Sequence, residues 1–185
     1  QYDSLGRISS VCEISSNSTM PGSAQPSNCQ MDIAGTGFLT TYSYDLANHK
    51  TTVSQGAQTR VFQTDPAGRT VYVSEPERGV TTYSYSYNAT GLVPVRSRPK
   101  ANQTSSSVTT NTTTQYDSLG RPVTITYDDN LTPAKTFYYD ISQIPGLGFD
   151  TGYGKGRLIG AIGISGDIFS YDIAGNITTS FQCLP

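Results

Sequence analysis

The chain has 185 residues, a formal net charge of −2, one His, three Cys, no Trp and 14% charged residues. Ser and Thr are its commonest residues while Lys, Glu, Leu and Met are scarce, which excludes a bundle of surface helices. The longest apolar run, 158–164, is broken by Gly160 and Gly163 and falls far short of the ~20 residues of a membrane span; a mildly acidic chain without a Lys/Arg cluster likewise gives nucleic acid no counter-charge.

In chain order, one hexad punctuates the sequence. Tyr2-Asp3-Ser4-Leu5-Gly6-Arg7 returns letter for letter as Tyr116-Asp117-Ser118-Leu119-Gly120-Arg121. The looser pattern, Asp or Asn followed three residues later by Gly or Asn, recurs as Asp32 with Gly35, Asp45 with Asn48, Asp65 with Gly68, Asn88 with Gly91 and Asp172 with Gly175. Asp or Asn at the first turn position accepts backbone N–H bonds, and Gly or Asn three residues on supplies the positive φ needed to leave the turn. Each copy therefore predicts a β-turn. The first motif begins at Tyr2 with no Met, basic stretch or apolar stretch ahead of it, as expected of a processed or excised chain.

Cys12 and Cys29 flank a Pro/Ser/Asn-rich insert at 12–29, and a bridge between them would staple it; Cys12 with Cys183 is the competing pair. Between fixed turns, alternation of period two predicts strands: Val71 and Val73 around Tyr72, Tyr83-Ser84-Tyr85-Ser86-Tyr87, and Val123, Ile125 and Tyr127 with Thr124 and Thr126. More variable turns are expected at 54–56, 75–79, 128–130 and 165–167. A hydroxyl-rich insert at 99–114 precedes the second perfect hexad. Tyr139-Asp140 counts as an eighth copy that has lost its Gly. The Gly-rich 146–156 after it lacks the helix of a phosphate loop, and reads as a flexible connector or as a segment that lets another backbone approach closely. A lone strand, 176–182, follows the last turn. The expected fold class is all-β, a ribbon of antiparallel β-hairpins in a single domain over 1–185, with turns recurring every ~20 to 32 residues.

Chemistry-bearing residues are few. Six of the eleven Asp head a fixed turn and are committed to backbone hydrogen bonds. Asp3 with Arg7, Asp65 with Arg69 and Asp117 with Arg121 stand four apart and read as ion pairs that fix turn geometry. Asp128-Asp129-Asn130 holds oxygen ligands for Ca²⁺, but acidic residues are ordinary in a hairpin turn. One His, His49, excludes a His-rich metal site. Tyr83, Tyr85 and Tyr87 share a face, for core packing or, alternatively, as a sugar platform. Neither catalytic residue, metal nor cofactor is expected. Asn17, Asn88, Asn102, Asn111, Asn130 and Asn176 begin Asn-x-Ser/Thr triplets, glycan acceptors in a source that N-glycosylates, and Asn17, Asn102 and Asn130 are the best placed in loops.

Tyr-Asp-x-x-Gly-Arg followed by alternating strand residues resembles the YD-repeat, or RHS-repeat, family over nearly the whole chain. The match is specific at Tyr2 to Arg7 and Tyr116 to Arg121, good at Tyr171 to Asn176 and Asp65 to Arg69, and degenerate at 44–48 and 87–91. The resemblance implies a long β ribbon that spirals, often into a hollow shell, in secreted or cell-surface bacterial proteins, toxin-delivery cocoons and related animal adhesion proteins. This chain is shorter than a closed shell requires and lacks, at its C-terminal end, the Asp-Pro-x-Gly-type core motif associated with self-cleavage. The expected function is therefore that of an extracellular or cell-surface structural protein, glycosylated at its sequons, whose copies assemble head to tail into a fibre or surface layer. The alternative is an excised segment of a larger shell used for toxin encapsulation or adhesion. In the first reading Tyr2 lacks a preceding strand and 176–182 lacks a following one, so joining copies there would bury Ile177 and Phe181 and bring Cys183 to the junction.

Overall fold

A computed structural model of the chain describes residues 1–13, 29 and 37–184. Its strands are β1 (Ser10–Glu13), β2 (Phe38–Asp45), β3 (Lys50–Gln55), β4 (Gln58–Thr64), β5 (Thr70–Glu75), β6 (Gly79–Tyr87), β7 (Leu92–Pro99), β8 (Thr109–Tyr116), β9 (Pro122–Tyr127), β10 (Lys135–Tyr139), β11 (Leu158–Ile162), β12 (Gly166–Tyr171) and β13 (Ile177–Cys183). They form one antiparallel sheet in which sequence neighbours are sheet neighbours, from β1 to β13, and no helix occurs among the described residues. Such an order needs only short connections, because antiparallel neighbours join through hairpins without a crossover. Thr, Val, Tyr and Ile fill the strands, side chains that suit a half-buried pleated surface. The hydroxyl-rich insert is divided: its second part is β8, and its first part is an exposed loop closed where the Lys100 amide donates to the Val108 carbonyl at 2.8 Å.

The turns headed by Asp3, Asp65, Asp117 and Asp172 have one construction. The Gly6 amide donates to the Asp3 carbonyl at 3.0 Å, closing a β-turn, and the Asp3 amide donates to the Arg7 carbonyl at 2.8 Å, closing the hairpin around it. Gly6 has φ +78°, a left-handed conformation that L side chains resist, so the motif's Gly is required here. This is the three-residue hairpin loop that ends in a bulge. A second bulge follows in the strand: Thr64 faces Thr70, Tyr116 faces Pro122 and Tyr171 faces Ile177, each next to a register shift that leaves Val71, Val123 or Thr178 as the extra residue.

The chain divides into two compact units, Gln1–Tyr83 with Arg98–Val108, and Ser84–Ser97 with Thr109–Pro185. The first is sheet with half-buried side chains. The buried hydrophobic residues, Ile144, Ile159, Ala161 and Ile168, belong to the second. Ile144, Ile159 and Ile168 form a cluster against which Tyr138, Ile141, Phe149, Ile162 and Tyr171 pack. Much of that core comes from the 140–157 excursion between β10 and β11. The excursion is held in place by backbone bonds, from the Tyr171 amide to the Thr151 carbonyl at 3.2 Å and from the Tyr153 amide to the Tyr171 carbonyl at 3.0 Å. Of the two readings of the Gly-rich stretch, close backbone approach is the one that holds: a Cβ on Gly152 would lie 2.5 Å from the Tyr171 carbonyl oxygen. Tyr83 and Tyr85 are half-buried, whereas Tyr87 at the strand end is 73% exposed.

Candidate functional site

The residues singled out by sequence converge on the turns. At Asp3 one carboxylate oxygen accepts the amides of Leu5 and Arg7, both at 2.9 Å, and the other accepts the Arg7 guanidinium at 2.7 Å. Asp65 with Ala67 and Arg69, and Asp117 with Leu119 and Arg121, repeat this arrangement, with Gly68 at φ +79° and Gly120 at φ +76°. At Asp172 the Asn176 amide and side-chain Nδ2 take the two roles of the Arg, at 2.8 and 2.9 Å, with Gly175 at φ +89°. These bonds favour the charged carboxylate. The Arg backbone amide is the main cause holding the carboxyls of Asp3, Asp65 and Asp117 below their ordinary value, and the Asn176 side chain does the same at Asp172.

Three arginines each lie over the ring of a Tyr that opens a later Tyr-Asp pair. The Arg7 guanidinium lies 4.3 Å from the Tyr44 ring centre, and the Tyr44 hydroxyl donates to the Ile8 carbonyl at 2.8 Å. Arg157 lies 5.5 Å from the Tyr171 ring centre, and the Tyr171 hydroxyl donates to the Leu158 carbonyl at 2.7 Å. Arg121 covers Tyr139 at 4.4 Å and also pairs with Asp140 at 2.7 Å. Arg7, Arg121 and Arg157 thus each hold the Tyr of a later Tyr-Asp pair, by a cation–π contact that no local pattern announces.

Three looser copies differ. After Asp45 the loop has four residues, Asp45 faces Lys50 directly, and the positive φ falls on His49 at +49° rather than on Asn48, whose side chain instead donates to Asp45 at 2.7 Å. Asn88 caps the amides of Thr90 and Gly91 through its Oδ1, but Gly91 has φ +151°. Gly91 is needed there for room, since a Cβ would lie 2.6 Å from the Tyr116 carbonyl oxygen. Asp140, read as a copy that had lost its Gly, has φ +61° and accepts the Gly156 amide. Asp32 and Gly35 lie outside the described residues.

Asp128 and Asp129 are also spent on backbone. Asp128 accepts the Asn111 amide at 2.8 Å, and Asp129 accepts the amides of Leu131 and Thr132. Among the described residues no group of three or more His, Cys, Asp or Glu is placed to hold a metal ion. Cys12 is bonded to Cys29, which decides against Cys12 with Cys183, and Cys183 is free and exposed. Of the sequons, Asn102 and Asn130 sit exposed at φ +59° and +55°, Asn111 is half-buried in β8, the Asn176 amide group is donated to Asp172, and Asn17 lies outside the described residues.

No protein-family model and no curated protein matches this chain.

Proposed function

We propose that the chain is a YD-repeat structural scaffold, extracellular or on a cell surface, whose ribbon of hairpins spirals and whose copies join head to tail into a fibre or surface layer. The observation that carries this reading is the recurring Arg–Tyr link to a later Tyr-Asp pair, since adding a repeat can add the same contact and the arrangement is extendable in one dimension. The carboxylates of Asp3, Asp65, Asp117, Asp172, Asp128 and Asp129 are engaged in shaping the backbone, which supports a scaffold over an enzyme. For the junction, β13 ends the strand order with all seven residues exposed, Ile177 and Phe181 among them, and Cys183 stands at its end. Tyr2 meets Ile8 in a single bridge and leaves its ring exposed. Edge strands of this kind extend by β-augmentation. Glycans, where the source adds them, fit best on Asn102 and Asn130.

Sedimentation and electron microscopy of the intact chain and of one lacking 176–185 test this. Filaments from the intact chain and monomers from the shortened one are expected. An intact chain that stays monomeric at high concentration refutes assembly and favours the alternative, a segment of a larger shell for toxin encapsulation or adhesion.

A further inference from the structure

We infer that residues 139–157 are a repeat turn opened by an insertion: Tyr139-Asp140 is its first half, Gly156-Arg157 its second, and 141–155 an internal cap looped out between them. Four landmarks of the closed turns recur across the gap. Gly156 has φ +80°, beside +79° and +76° at Gly68 and Gly120. Tyr139 faces Leu158, two residues past the Gly, as Tyr116 faces Pro122 and Tyr171 faces Ile177. A register shift at Tyr138/Tyr139 leaves Ile159 as the extra residue, three past the Gly, where Val71, Val123 and Thr178 stand in the closed turns. Arg157 covers the ring of Tyr171 while the Tyr171 hydroxyl bonds the residue after the Arg, as Arg7, Tyr44 and Ile8 do.

The partners of the carboxylate change because the two halves are separated. The Asp140 carboxylate accepts the Gly156 amide, where a closed turn gives its carboxylate the Arg amide and its Asp carbonyl the Gly amide, and its guanidinium partner is Arg121 of the preceding turn. Arg157 donates to the Tyr153 carbonyl at 2.9 Å instead.

The inserted loop supplies what a bare hairpin lacks. Ile144 packs so close to Gly160 that a Cβ there would lie 2.8 Å from its Cδ1. Thr151 is fully buried, and its hydroxyl donates to the Ile141 carbonyl at 2.6 Å. Gly152 bridges Tyr171 in parallel, so the loop takes over pairing at the end of β12. A hairpin ribbon buries little by itself, and a segment that folds back on it gives this unit an interior.

The test removes 143–155, joining Ser142 to Gly156 and restoring the Tyr-Asp-x-x-Gly-Arg spacing. Nuclear Overhauser contacts between Tyr139 and Leu158 are expected to persist, while amide exchange at Ile168 and Tyr171 speeds up at least tenfold. Loss of the Tyr139–Leu158 pairing in a folded chain overturns the opened turn, and unchanged exchange at Tyr171 overturns the cap. Should the shortened chain not fold, full-length Gly156→Ala decides: a Cβ there meets open space, so only the left-handed backbone resists it. Exchange at Tyr139 and Leu158 is expected to rise as much as exchange at Tyr116 does in Gly120→Ala; exchange left unchanged refutes the assignment.

Discussion

Replacing Ile159 by Ala probes whether the excursion's core, rather than the sheet at large, stabilises the second unit. Ile159 is 0% exposed and is wedged with Ile144 and Ile168, and its Cδ1 fills the space above Gly154 where a Cβ would collide. The substitution removes three carbons, a transfer loss of about 2.4 kcal/mol at ~0.8 kcal/mol each. The neighbours are pinned by the loop's backbone bonds and cannot collapse fully, so a cavity term brings the expected total to ~3 to 4 kcal/mol. Val123→Ala, at the same bulge position of a closed turn but half-buried, is the matched control and is expected to cost ~1 kcal/mol. Native-state amide exchange at Tyr138, Ala161 and Ile168 is the assay, because two compact units need not melt as one transition. Equal costs for the two variants, within ~0.5 kcal/mol, refute the reasoning.

Replacing Cys12 and Cys29 by Ser opens a closure of sequence separation 17 and is expected to cost about 3 kcal/mol, read by thermal melting of oxidised against double-mutant protein. Asp3, Asp65, Asp117 and Asp172 have folded values below the ordinary 3.8, so their contribution is complete above about pH 4 and is lost as pH falls through the folded values. Acid unfolding followed by circular dichroism should therefore set in below pH 3.8, with a shallower dependence in Asp117→Asn. Gly120→Ala, with open space around its Cβ, is expected to cost ~1 to 2 kcal/mol from backbone conformation alone. Gly91→Ala, which drives a Cβ to 2.6 Å from the Tyr116 carbonyl oxygen, should cost more in the same urea titration. In a glycosylating host, glycopeptide mass spectrometry should find Asn102 occupied and Asn176 bare, because the latter's Nδ2 is donated to Asp172 at 2.9 Å.

The sequence by itself determined whatever is closed within a few residues. Every bond of the Asp3 turn lies between Asp3 and Arg7, so the hexad carries its own hairpin and bulge wherever it stands. The alternation around Tyr72 and Ile125 likewise placed β5 and β9, since side-chain period and strand pleat are one geometry. Only the tertiary structure decided what depends on distant partners. Arg7 and Asp3 announce each other, but Tyr44, whose hydroxyl bonds Ile8 thirty-six residues away, is matched to that turn only through strand pairing. Near Asp45 the positive φ moved from Asn48 to His49 because the loop took four residues to reach a direct Asp45–Lys50 pair. The Gly of the eighth copy was hidden for the same reason. Sixteen residues separate Asp140 from Gly156, and only the Tyr139–Leu158 pairing and the burial of Ile144 and Ile159 bring the two halves of that turn together.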